Sequence, residues 1–168
     1  MDAPLVGRDG ELRLIVESLA FARQGQAQVV WLQGDAGAGK TTLLQRAVEL
    51  ASAGPAARCC VWRVTCDLAE RLIEHGVSEQ LLRRATGAVS ADSPSSIRYA
   101  EQLLGSLAAQ EDVTVVLAID DLHWCDRSSL QMLRYALRRL DGRVLVLLAH
   151  RPVSMRRRPC WPGPGPWG

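Results

Sequence analysis

Four short apolar runs punctuate this chain, and between them apolar residues recur every three or four positions. The runs lie at about 29–33, 58–65, 113–119 and 144–149, each short enough for a strand. Helical spacing appears first at Leu12, Ile15, Val16 and Leu19, with Asp9 placed to cap the helix and Gln24-Gly25-Gln26 to end it. It returns between Gly39 and Ala53 at Leu43, Leu44, Ala47, Val48 and Leu50, where Gly54-Pro55 is a stop. Residues 67–86 also read as helical through Leu68, Leu72, Ile73, Val77, Leu81 and Leu82, with a break at Gly76. A helix over 95–110 carries Ile97, Leu103, Leu104 and Leu107, and one over 127–140 carries Leu130, Leu133, Leu137 and Leu140, with Asp126 as its cap.

Strands that alternate with helices predict an α/β domain with a mostly parallel sheet. The third run, Val113 to Ile119, is almost continuously apolar and β-branched, which marks a central parallel strand. The second alternates imperfectly, as suits a sheet covered on both faces. Thr86 to Ser95 is rich in Gly, Ala, Ser, Asp and Pro and reads as a loop. After Arg151 the periodicity stops. Residues 1–151 therefore form the predicted domain, and 152–168, with five prolines, three consecutive arginines and two tryptophans, a predicted disordered tail.

The first strand runs into Gly34-Asp35-Ala36-Gly37-Ala38-Gly39-Lys40-Thr41-Thr42, and Gly34 to Thr41 satisfies G-x-x-x-x-G-K-[ST]. Such a loop converges backbone N–H groups on phosphate oxygens at the positive end of a helix, and glycine lets the chain wrap closely around the anion. Lys40 is placed to reach the β- and γ-phosphates of a nucleotide, and the Thr41 hydroxyl to ligate Mg²⁺. Lys40 is also the only lysine in the chain, the other nineteen basic residues being arginine. Where a surface charge suffices this chain uses arginine, and it keeps the compact ammonium where a phosphate would sit.

About eighty residues later the third strand ends in Asp120-Asp121-Leu122-His123-Trp124-Cys125-Asp126. Mg²⁺ takes one or two carboxylates beside substrate phosphates and keeps several waters. Asp120 is placed to hold the ion's shell opposite Thr41, and Asp121 to orient or deprotonate an attacking water. The plainer reading is that both aspartates only end the strand and cap the next turn. Arg151 follows the fourth strand on the same carboxyl edge, where it could stabilise a γ-phosphate or be one more surface arginine. His123 and His150 flank the site in sequence, but as isolated histidines they read as polar loop residues, and Trp124 reads as packing.

Composition narrows the class only a little. At 168 residues, 48% hydrophobic and 23% charged, the chain suits one globular domain with a real core. Net charge of +2 argues neither for nor against nucleic acid, and Arg156-Arg157-Arg158 offers only weak, salt-sensitive contact with it. Five cysteines without a CxxC pair fit neither a zinc site nor a disulfide framework, so they read as reduced thiols in a cytoplasmic protein. No run is long enough to span a membrane.

Leu5 to Leu12, Gly34 to Thr42 and Asp120 to Asp126 together resemble the nucleotide-binding domain of STAND-type AAA-like ATPases. They are most similar to that of the large ATP-binding regulators of the LuxR family. The acidic stretch looks like that family's D-D-[LA]-[HQ]-W-A-D, with Cys125 where alanine is usual, and Gly76 to Leu82 is similar to its helix after the second strand. The resemblance implies a P-loop NTPase three-layer sandwich with strand order 1-4-3-2, ATP and Mg²⁺ as ligands, and slow hydrolysis used as a conformational switch. It places Val6-Gly7-Arg8 near the adenine, where the residues alone suggest a lead-in turn, and makes Arg151 a γ-phosphate sensor. The family's fifth strand, helical lid and C-terminal DNA-binding helix-turn-helix have no counterpart here. The expectation is therefore a truncated switch domain, exposing an open sheet edge that could mediate self-association and reaching DNA only through a domain absent from the chain. A nucleotide-binding fragment without activity and a small-molecule kinase are the alternatives.

Overall fold

A computed structural model describes residues 8–53, 58–87 and 95–152. Val6, Gly7, the helix stop at Gly54-Pro55, most of the loop between Thr86 and Ser95, and the predicted tail beyond Pro152 lie outside these residues. The elements run α1 (Asp9–Arg23), β1 (Gln28–Gln33), α2 (Lys40–Ser52), β2 (Cys59–Thr65), α3 (Gly76–Thr86), α4 (Ser96–Ala108), β3 (Thr114–Asp120), α5 (Arg127–Leu137) and β4 (Val144–His150). All strands are parallel and lie in the order β1-β4-β3-β2. The expected order holds, and β1 is an edge of the described sheet.

The central strands are the most apolar for a physical reason. β3 is buried along all its residues and β4 along all but His150, because helices cover both faces. On one face α1 and α2 bring Ile15, Leu19, Leu43, Leu44 and Ala47 against Leu32, Val116, Ala118, Leu145 and Leu147. On the other, α3, α4 and α5 bring Leu81, Tyr99, Leu103, Met132 and Leu133 against Trp62, Val64, Leu117, Ile119 and Val146. The result is the three-layer sandwich. At the edge, β2 is fully buried only at Trp62 and Val64, on the α3 side, so its imperfect alternation reflects an edge position with one well-covered face.

Three sequence expectations need correction. Asp9 does not cap α1: it is the first helical residue, Arg8 holds the cap position, and no side chain accepts a cap bond there. Val16 is not on the buried stripe, since α1 turns Ile15, Leu19 and Ala22 inward. Residues 67–75 are not helix. They form a short 3₁₀ turn, Leu68–Glu70, followed by further i→i+3 turns, and Leu68, Leu72 and Ile73 are exposed at 57%, 93% and 54%. α3 begins only at Gly76, after His75 at φ 61 has broken the local path.

Among the described residues no helix is long and apolar enough to cross a membrane. Cys59, Cys60, Cys66 and Cys125 are free thiols, and Cys160 lies outside the described residues.

Candidate functional site

The site is assembled where three adjacent strands end. β1, β4 and β3 lie side by side, so the loops at their carboxyl ends converge. Gly34 N–H donates to the His150 carbonyl at 3.4 Å, tying the start of the phosphate loop to the end of β4. Two of the loop's glycines are conformational requirements. Gly37 and Gly39 both sit at φ 76, in the left-handed region that side chains resist. Gly34 is a packing requirement, since a Cβ there would lie 3.2 Å from the Ala38 Cβ. Asp35, Ala36 and Gly37 form the exposed crest of a tight turn closed by Ala38 N–H donating to the Asp35 carbonyl at 3.2 Å.

Lys40 opens α2 and is only 6% exposed. Its ammonium donates to the carbonyls of Gly34 and Asp35 at 2.8 and 2.7 Å, so it is folded back over the loop. A phosphate in the loop would take over those donors, in the company of the first-turn amides of α2. The loop thus fits a nucleotide's phosphates: its glycines leave the room, and its buried ammonium lies at the mouth. Thr41 and Thr42 follow on the exposed first turn of the helix.

Arg8 reaches the same loop from the start of α1. Its guanidinium donates to the Ala38 carbonyl and, at 2.8 Å, to Glu11 Oε1. Arg8 is therefore a clasp on the phosphate loop, and its adenine-side neighbours in the expected trio, Val6 and Gly7, lie outside the described residues.

At the end of β3, Asp120 is 2% exposed, and its Oδ1 accepts the Asp121 N–H at 2.9 Å. Its Oδ2 lies 3.9 Å from a guanidinium nitrogen of Arg63 on β2. Sequence reasoning missed Arg63, since a lone arginine in an arginine-rich chain carries no signal. Only the pairing of β2 with β3, Thr65 beside Asp120, brings it near. Among the described residues no three His, Cys, Asp or Glu side chains cluster as a metal cage. The buried Asp120 carboxylate and the Thr41 hydroxyl are the kinds of oxygen donor Mg²⁺ takes beside phosphate oxygens and water.

Asp121 adopts φ 50, one of two non-glycine residues in the left-handed region among those described. His123 follows in the 3₁₀ turn Leu122–Trp124, with Nδ1 3.8 Å from Asp121 Oδ1. Burial pushes its imidazole below the usual range, against the pull of Asp121 and with Arg151, Lys40 and His150 adding to the effect. Arg151 is exposed beyond β4, and the His150 ring packs edge-on against Trp31 at 5.6 Å. Trp124 packs against the core, as read from sequence.

The turn ends in a second polar centre. Asp126, 3% exposed, accepts from Ser129 N–H at 2.8 Å as the cap of α5. The same carboxylate also accepts from His75 N–H at 3.0 Å and Val77 N–H at 3.3 Å, at the start of α3. Ser129 Oγ accepts the Ser78 N–H at 2.9 Å beside it. The cap was legible in the sequence; the bonds to α3 were not.

No curated protein sequence matches this one. Solved structures share its fold, two of them as follows. The Aeropyrum pernix ORC2 protein, in ADPNP–ADP complexes, aligns with TM-score 0.62 at 20% identity, over 90% of this chain and 42% of its own. The ORC1 protein of the same organism, in complex with DNA, aligns with TM-score 0.55 at 18% identity, over 91% and 41%. The chain therefore spans about two fifths of the length of these structures. Residues 4–148 match the family described as the AAA ATPase domain, which takes in the phosphate loop, the acidic strand end and nearly all of the sheet. This chain belongs to the AAA ATPase domain family.

Proposed function

We propose that this domain binds ATP with Mg²⁺, hydrolyses it slowly, and uses the difference between bound states as a conformational switch in a larger regulator. The observation that carries the reading is the buried Lys40 ammonium folded over a glycine loop, with the buried Asp120 carboxylate at the end of a nearby strand. The loop amides and Lys40 would hold the phosphates. Thr41 and Asp120 would hold Mg²⁺, which when bound draws charge from the phosphate oxygens. Asp121 would orient the attacking water, and Arg151 would lie against the terminal phosphate. The likeness of Asp120 to Asp126 to the LuxR-type regulators' acidic motif supports a role in transcription regulation. Contact with DNA then belongs to a part of the protein other than this domain.

Calorimetry with ATP and ADP, with and without Mg²⁺, tests the reading. The expected result is Mg²⁺-dependent ATP binding in the micromolar range and little turnover. Lys40→Ala should weaken binding by roughly 10- to 150-fold, the value of a hydrogen-bonded charge. Unchanged affinity in Lys40→Ala would remove the site assignment.

A further inference from the structure

One buried polar group at this site has no role in the scheme above. The His123 side chain is 10% exposed, and neither ring nitrogen has a hydrogen-bond partner. Native chains rarely leave such a group unpaired unless a ligand or water completes it. The ring is held in place by Trp124, whose ring lies 4.7 Å away and tilted, and its turn packs against β4. It lies within electrostatic reach of Lys40, His150 and Arg151, which come from the two other loops of the site. Its Nδ1 is 3.8 Å from Asp121 Oδ1, too far for a direct hydrogen bond, and both ring nitrogens are closed to solvent, so a ligand or water meets them only once the ring or its cover shifts.

Resting on the nucleotide site proposed above, we infer that His123 distinguishes ATP from ADP. One ring N–H meets the terminal phosphate, and the other nitrogen holds, together with Asp121, the water beside it. The chemistry needs a neutral ring, since only neutral imidazole has one donor and one acceptor. Nε2–H donates to the phosphate oxygen. The Nδ1 lone pair and the Asp121 carboxylate each accept one hydrogen of the water, leaving its oxygen lone pairs free. Burial, reinforced by Arg151, Lys40 and His150, favours the neutral ring although Asp121 favours the charged form. The terminal phosphate is the partner because His123 follows Asp121 and lies with Arg151, whereas the inner phosphates belong to the loop amides. With ADP both nitrogens stay unpaired, so the gain is confined to ATP.

The test compares wild type with His123→Leu and His123→Gln, glutamine keeping one donor and one acceptor. Affinities for ADPNP and ADP are measured by calorimetry with Mg²⁺, and the histidine ring nitrogens are followed by ¹⁵N NMR. His123→Leu should lower ADPNP affinity about tenfold, the value of one hydrogen bond to a charged group, and leave ADP affinity unchanged. His123→Gln should restore most of the difference. In wild type the His123 resonances should report a neutral ring and move with ADPNP but not with ADP. Equal weakening of both nucleotides in His123→Leu indicates a structural role and overturns the inference, as does no weakening of either. If His123→Leu does not fold, a His123 spectrum that ignores ADPNP still overturns it. Wild-type protein that binds neither nucleotide overturns the site reading itself.

Discussion

Two aspartates in this chain carry the same sequence signature of a helix cap, and only one of them acts as a cap. Asp126 accepts three backbone N–H groups at 2.8, 3.0 and 3.3 Å while 3% exposed, and no cation pairs with it among the described residues. Asp126→Ala removes the cap of α5, worth about 1 kcal/mol. It also leaves the His75 and Val77 amides without their charged acceptor, at about 1.5–3 kcal/mol each. Relief of a buried charge offsets part of this, for a net loss of about 3 kcal/mol. For a chain of this size, that lowers the thermal midpoint by roughly 6–12 °C. Asp9→Ala is the matched control. Its side chain makes no cap bond, so only the first-turn charge effect is lost, at most about 1 kcal/mol. Urea unfolding followed by circular dichroism reads both variants. Equal losses, or a smaller loss for Asp126→Ala, would refute the claim that this carboxylate joins α3 to α5.

Gly34→Ala places a Cβ 3.2 Å from that of Ala38, and should cost about 1 kcal/mol of stability while lowering nucleotide affinity by calorimetry. Asp121→Asn tolerates the φ of 50, so its melting temperature should match wild type while single-turnover hydrolysis falls roughly 100-fold or more. The Cys125 thiol is held well above the ordinary range by its hydrogen bond with Cys66 and by burial. The unfolded thiol loses its proton near pH ~8.5 while the folded one keeps it. The folded state then binds more protons, and stability falls as pH rises past that point. Cys125→Ala should flatten this alkaline arm in urea titrations across pH 7–10.

Periodicity located all four strands and most helices because packing on each face of the sheet follows from residues close in sequence. The phosphate loop and acidic strand end were legible for the same reason: each is a local motif whose geometry its own residues dictate. The misreading of 67–75 has the opposite cause. Leu68, Leu72 and Ile73 recur at helical spacing, yet the Asp67 side chain accepts Ala69 N–H at 2.8 Å and starts a turn instead. The true start of α3 is set by acceptors about fifty residues away, Asp126 for Val77 N–H and Ser129 for Ser78 N–H. No window along the chain contains both partners. Arg63 was hidden likewise, because its place near Asp120 depends on which strands pair. His123 was visible but ambiguous: only burial without a partner separates it from an ordinary loop histidine.

Those long-range bonds bear on how a nucleotide could matter beyond its own site. A ligand shifts a conformational equilibrium only through contacts that differ between the states. The turn from Asp120 to Asp126 carries the proposed nucleotide contacts at one end and a fixed anchorage at the other. Asp120, Asp121 and His123 lie at or just beyond the carboxyl end of β3, and Asp126 binds the amides that begin α3. The turn is short, its centre is pinned by Trp124, and Asp121, its second residue, already holds an uncommon φ. On this reading, a terminal phosphate that draws His123 or Asp121 would pull on the Asp126 bonds to the start of α3. The Asp126→Ala variant tests this route. It should leave nucleotide affinity nearly intact while removing any nucleotide-dependent change in amide exchange at Val77 and Ser78. Persistence of that change in the variant would mean that the coupling runs through another contact.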